Sequence, residues 1–165
     1  MSDTEPPLSD SNRGEWIIEI QNTSSFEVDT TVLAGRMRET LNHIRGAGSG
    51  EVCVRLVNDP EICRIHQQWL DDPTPTDVIS FPNAVDPGPS MEPPYLGDIA
   101  ISVDTAELQS REAGIAIIDE LKLLCIHGLL HLLGHEDTSP DGASAMTRLQ
   151  EQFVPEAYPA SGVKP

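Results

Sequence analysis

The stretch from residue 115 to 133 constrains the fold most. Ile115, Ile117, Ile118, Leu121, Leu123 and Leu124 are followed by Ile126, Leu129, Leu130, Leu132 and Leu133, so a helix through this stretch is apolar on nearly every face. A helix of that kind in a water-exposed protein belongs at the centre of the core, with the other elements packed around it. Asp119, Glu120 and Lys122 interrupt the apolar run. No run therefore approaches the ~18 uninterrupted apolar residues of a membrane span.

The flanking sequence supplies the layers. Trp16–Gln21 alternates, with Trp16, Ile18 and Ile20 on one face, and predicts a first strand. Leu33, Met37, Leu41 and Ile44 then recur at helical spacing and predict an amphipathic helix over 28–45. Val52–Val57 reads as a second strand. Asp59 and Pro60 read as the N-cap and first residue of a helix carrying Ile62, Ile65 and Trp69. Val78–Phe81 and Ile99–Val103 are two further strands, separated by a proline-rich excursion over 83–95. A short helix over 104–112 and a last helix over 141–153 flank the apolar one. This order predicts a single α+β domain, a mixed four-stranded sheet packed with about five helices. It spans residues 15–154, between a disordered leader over 1–14 and a flexible tail over 155–165.

Charge narrows the partners. The chain carries 27 acidic against 10 basic residues, a formal net charge of −17, and such a surface repels polyanions on average. Residues 36–64 are the exception: Arg36, Arg38, Arg45, Arg55 and Arg64 face four acids, so an anionic partner is expected on the surface they build. The N-terminus shows neither a basic start nor a following apolar run, and three cysteines make no even disulfide framework. A cytoplasmic protein with reduced, buried thiols is expected, without membrane association.

The chemistry concentrates in His127-Gly128-Leu129-Leu130-His131-Leu132-Leu133-Gly134-His135-Glu136-Asp137. His127 and His131 sit four apart, which sets both imidazoles on one helical face about 6 Å apart along the axis. Rings so placed can share one Zn²⁺. Gly134 suits a helix end, after which the chain can fold back to offer a third ligand. Asp137 is the best placed by pattern, and His135 and Glu136 compete with it. The zinc-protease pattern H-E-x-x-H carries a glutamate base after its first histidine. This chain has Gly128 there, which disfavours a metallopeptidase.

The same segment resembles the signature H-G-x-L-H-L-x-G-Y-D-H of the YbeY-type rRNA maturation factors. Pro75-Thr76-Asp77-Val78-Ile79-Ser80-Phe81 is similar to the family's P-T-D-V-L-S-F, and Gly97-Asp98-Ile99 with Ile101-Ser102 to its G-D-I-x-I-S. The three motifs run in order over roughly residues 16–153. The resemblance implies a single-strand-specific, metal-dependent endoribonuclease that matures 16S rRNA, including its 3′ end, and takes part in ribosome quality control. Its partners would be single-stranded rRNA and the small ribosomal subunit with its proteins. It implies a zinc site, one ion per chain, on His127, His131 and, where the family has a third histidine, Asp137. Glu136 and Asp98 are the candidate assisting carboxylates, Asp98 either holding a turn or orienting a ligating histidine.

The chain departs from the family at a second position. An arginine five residues before the proline of P-T-D-V is tied to activity, and Leu70 stands there. Arginine can clamp a phosphate and stabilise charge developing in the transition state, which leucine cannot. Either Arg64 or Arg55 substitutes, or the catalytic arrangement differs. The alternative reading is a non-catalytic ribosome assembly factor whose zinc is structural, with His135 completing a closed site.

Overall fold

The structure, a computed structural model, describes residues 14–83 and 93–159. The expected leader and most of the proline-rich excursion lie outside these residues. The elements run β1 (Glu15–Asn22), α1 (Thr30–Arg45), β2 (Ser49–Val57), α2 (Asp59–Leu70), β3 (Val78–Pro82), β4 (Tyr95–Ser102), α3 (Val103–Ala113), α4 (Ile117–Leu132) and α5 (Pro140–Phe153), then a 3-10 turn over Pro155–Ala157. The four strands form one sheet in the order β1-β2-β4-β3. β1, β2 and β4 are parallel, and β3 runs antiparallel against β4 as an edge strand. This is the α+β domain with a mixed four-stranded sheet and five helices that the sequence predicts.

The sheet has two unequal faces. Trp16, Val52, Val54, Leu56, Ile99 and Ile101 point to one side, where α1 and the apolar helix α4 bury them in the main core. On the other side α2 covers only the β3–β4 end, through Val57, Ile62, Ile79 and Ala100. Strand alternation also sets Arg55 and Asp98 on that side, where both are exposed.

Several boundaries differ from the sequence expectation because a tertiary contact outweighs local capping. Asn58, not Asp59, is the N-cap of α2, and its side chain makes no capping bond. Asp104 of α3 does that work from outside, accepting the Asp59 backbone N–H at 2.8 Å. Asp59 accepts instead from Thr105 Oγ1 at 2.9 Å and from the Ser102 hydroxyl. Ser102 ends β4 by capping α3, its hydroxyl accepting from the Thr105 N–H at 3.2 Å, so Val103 opens α3 and is not part of the strand. Of the thiols, only Cys125 is buried; Cys53 and Cys63 are partly exposed, and all three are free.

The basic segment does not build one anion-binding face. Arg38 donates to the Trp16 carbonyl at 3.2 Å and Arg45 to the Leu133 carbonyl at 3.3 Å. Arg64 pairs with Glu61 on α2. Arg36 makes a two-pronged pair with Glu156, at 3.0 and 2.8 Å. Lys122 reaches the same carboxylate at 2.9 Å.

Packing thus continues past residue 154, where the sequence suggested a loose tail, with Val154 and Ala157 fully buried. The hydrogen bonds from Arg36, reinforced by Lys122, outweigh partial burial and hold the Glu156 carboxyl down at about 2. A carboxyl depressed in the folded state stabilises above its unfolded value and loses that contribution as pH falls through the folded one. Glu156 is 29% exposed, so solvent screening limits the effect to about 1–2 kcal/mol. Glu156→Gln should therefore lower the melting temperature by about 3–8 °C above pH 5. The two proteins should converge as pH approaches 2, as a thermal melt series across pH would read.

Candidate metal centre

α4 ends in a Schellman turn, which brings the candidate ligands together. The Gly134 N–H donates to the His131 carbonyl and the His135 N–H to the Leu130 carbonyl, both at 3.0 Å. Gly134 adopts φ +100°, a conformation that favours glycine. The chain reverses there and carries Asp137 back over the two histidines.

Each imidazole is oriented by its far nitrogen. His131 Nδ1 lies 2.9 Å from the His135 carbonyl oxygen, which can only accept, so Nδ1 carries the proton. His127 Nδ1 lies 2.7 Å from Gln150 Oε1, and that amide is itself oriented by donating through Nε2 to the Tyr158 hydroxyl at 2.8 Å. This leaves the two Nε2 atoms facing one another at 3.1 Å, so that neutral rings present both lone pairs to the same point. Asp137 Oδ2 stands 3.7 Å from each Nε2.

The three donors lie within 4.8 Å of one another and form the cluster found among the described residues that could hold a metal ion. A tetrahedral zinc site with ligand bonds near 2.0–2.1 Å has ligand atoms about 3.3 Å apart. The observed separations bracket that figure, so this donor set fits a Zn²⁺-sized ion. His135 and Glu136, the competing third ligands, are outside the cluster; His135 contributes its backbone carbonyl to His131.

The cluster opens onto a groove of about 340 Å³ that crosses the β3 edge of the sheet. His127, His131 and Glu136 form one wall, and His66 and Leu70 of α2 form the other, with Thr76 and Ser80 also lining it. Leu70 is 55% exposed, so the position where the family places arginine faces the groove here without a charge. Arg64 is tied to Glu61, and Arg55 lines a separate cavity. The groove side chain the sequence reading missed is His66, whose Nδ1 donates to the Thr74 carbonyl at 2.8 Å and whose Nε2 lies 3.8 Å from Asp72 Oδ2. The only available signal was its position one helical turn before Leu70. Gln150 was missed as well, since nothing in the sequence pattern of α5 marks one amide as a histidine's partner.

Asp98 is not brought to the histidines. Its strand neighbour Ile99 packs on Gly128 of α4, so Asp98 points to the opposite face of the sheet. There it accepts a hydrogen bond from the Tyr95 hydroxyl. Burial, reinforced by this carboxylate, raises the Tyr95 phenol well above its ordinary value.

Comparison with known proteins identifies the family. The endoribonuclease YbeY of Acidothermus cellulolyticus is 37% identical over 145 residues, covering 83% of this chain and 88% of that protein. The endoribonuclease YbeY of Kineococcus radiotolerans is 38% identical over 145 residues, covering 83% of this chain and 84% of its own. The solution structure of TM1509 from Thermotoga maritima superposes with a TM-score of 0.56 at 29% identity, covering 86% of this chain and 89% of that one. The family described as endoribonuclease YbeY matches residues 18–157. The match runs from inside β1 to the end of the 3-10 turn and takes in both histidines and Asp137, so the chain belongs to the YbeY endoribonuclease family.

Proposed function

We propose that this protein is a metal-dependent endoribonuclease that cuts single-stranded RNA of the immature small ribosomal subunit, including the 3′ end of 16S rRNA, in the cytoplasm and in the service of ribosome quality control. The observation that carries this reading is the open groove beside the His127, His131 and Asp137 donors. His127, His131 and Asp137 would hold a divalent ion, with zinc favoured by the two imidazoles, and it would supply the Lewis acidity that makes water nucleophilic near neutral pH and offsets charge on a phosphoryl oxygen. The carboxylate ligand in place of a third histidine lowers that electrophilicity and admits manganese more readily.

The chain's own residues do the rest. Gln150 and the His135 carbonyl keep both imidazoles presenting Nε2. Glu136, on the same wall, takes the proton from the attacking water. His66, on the facing wall, donates to the phosphate or the leaving oxygen, the work an arginine would otherwise share. A groove over an exposed sheet edge accommodates a flexible strand, and the −17 charge makes binding to free RNA weak and salt-sensitive. Recognition of the substrate within a small subunit, through its proteins, compensates for that weakness.

Leu70 and the net charge favour a second reading, a non-catalytic assembly factor with a structural ion. Structural zinc is normally closed by four protein ligands, whereas three converge among the described residues. Cleavage of immature small subunits by metal-loaded protein separates the two. We expect cleavage, faster on subunits than on naked RNA. His66→Gln, which keeps a donor but cannot hand over a proton, should lower kcat by about 100-fold at unchanged metal content. Full metal occupancy with no cleavage of either substrate would leave the assembly factor standing.

A further inference from the structure

A second cavity, of about 390 Å³, lies on the other face of the sheet and meets the metal groove at Pro82, which lines both. The last turns of α2 divide the two: His66 and Leu70 face the metal groove, while Ile65 and Trp69 face this cavity. Its working surface is Arg55, Trp69, Phe81, Asn83, Tyr95 and Asp98. The volume is within the range of small-molecule sites.

We infer that this cavity binds a guanine base of the RNA strand whose backbone lies in the metal groove, an inference that rests on the function proposed above. Trp69 is 64% exposed. It contacts Phe81 edge-on, with centroids 5.9 Å apart and planes at 62°, which leaves an indole face open for stacking. Stacking alone accepts any base. Asp98 makes the choice. An ionised carboxylate is acceptor-only, with about four lone-pair sites, and the Tyr95 hydroxyl uses one of them on Oδ1.

Guanine alone offers two adjacent donors, N1–H and N2–H, to such a group. Adenine and cytosine set a ring acceptor beside their amino group, and uracil flanks its single N–H with carbonyls, so each meets the carboxylate with a repelling lone pair. Arg55 is an exposed cation on the cavity wall. It forms none of the ion pairs seen among the described residues, and so is available to the sugar-phosphate of the same nucleotide. The cavity's meeting with the groove at the sheet edge lets a strand pass from one to the other, so the recognised guanosine neighbours the scissile phosphate.

Trp69 also supplies the readout. The chain has two tryptophans, and the other, Trp16, is 6% exposed, so quenching by a ligand reports on Trp69. Guanosine, adenosine, cytidine and uridine are titrated into the full chain in chelator, where no cleavage occurs. Saturable quenching by guanosine at an apparent Kd at least about tenfold below those of the other three is expected, the size of one good base-edge pairing. Asp98→Asn should erase that preference while leaving the weaker quenching by adenosine and the near-ultraviolet circular dichroism unchanged. No saturable quenching by any nucleoside, equal quenching by all four, or a guanosine preference that survives in Asp98→Asn would each overturn the inference. A chain that prefers guanosine but never cleaves RNA loses the nuclease reading and keeps this site; cleavage without the preference does the reverse.

Discussion

His131→Ala should strip the bound metal from the protein and lower ribonuclease turnover by at least about 100-fold, more than the loss of a group that merely orients a ligand. The geometry sets this expectation. His131 Nε2 is 3.1 Å from His127 Nε2 and 3.7 Å from Asp137 Oδ2, so removing it leaves two donors on one side of an open groove. Intermediate variants grade the effect. Gln150→Leu frees the His127 ring by taking away the acceptor 2.7 Å from Nδ1. It should weaken metal binding by about 10–100-fold. Asp137→Asn keeps the shape and removes the charge, and should fall between the two. Elemental analysis after dialysis against a weak chelator reads retention directly. Far-ultraviolet circular dichroism should not move, because His131 sits in the last, partly exposed turn of α4. Unchanged metal content in His131→Ala would place the ion elsewhere, and unchanged content in Asp137→Asn would move the third ligand to another group.

The scaffold was legible where the signal is periodic. The all-round apolar pattern of α4 and the alternation of β1 and β2 reflect burial against neighbours that any packed α+β arrangement supplies, so element type and order followed from them. Element ends were less legible. Ser102, Asp59 and Asp104 form one hydrogen-bonded knot among β4, α2 and α3, and Asp59, 43 and 45 residues before the other two, carries no local mark of the meeting. The site divides in the same way. His127, His131, Gly134 and Asp137 sit within a single helix end, where spacing fixes geometry. His66 and Gln150 enter from other elements and carry no pattern pointing to the groove. Asp98 misled for a different reason: its motif is contiguous with residues that do pack beneath the histidines, but strand alternation sends every second side chain to the opposite face.

Charge was the least legible property. The five arginines between residues 36 and 64 suggested one basic face, yet four of them are engaged by carbonyls or carboxylates of the fold itself. Arginine's planar fork makes it as useful for pinning helix ends and tails as for holding phosphates. Composition counts charges without showing which are already satisfied. What remains for an anionic strand is Arg55 on one side of the β3 edge and His66 on the other, a sparse set that suits a substrate delivered within a larger particle.

Gly128→Glu should unfold the protein rather than make it a peptidase. The substitution restores the H-E-x-x-H pattern on α4, and a reading of sequence alone would credit it with a missing general base. Residue 128, however, lies where the helix touches the sheet. A Cβ there would meet Ile99 Cγ2 at 2.8 Å and Ser80 Oγ at 3.1 Å, and the Ser80 hydroxyl donates to the Gly128 carbonyl at 3.2 Å. Even Gly128→Ala should cost about 1–3 kcal/mol of overpacking, less up to about 1 kcal/mol of improved helix propensity. Glutamate adds a carboxylate with no partner in an apolar contact, which costs several kcal/mol more or keeps the group protonated. Against a typical total stability of about 5–15 kcal/mol, that is enough to leave little folded protein. Chemical denaturation of the alanine variant and the solubility of the glutamate variant report the two steps. The alanine variant should also bind metal more weakly, because lifting α4 off Ile99 displaces His127, the residue immediately before. A glutamate variant with wild-type melting and metal content would mean that α4 can leave the sheet freely. The close approach at Gly128 would then not be what fixes the height of the histidines above the groove.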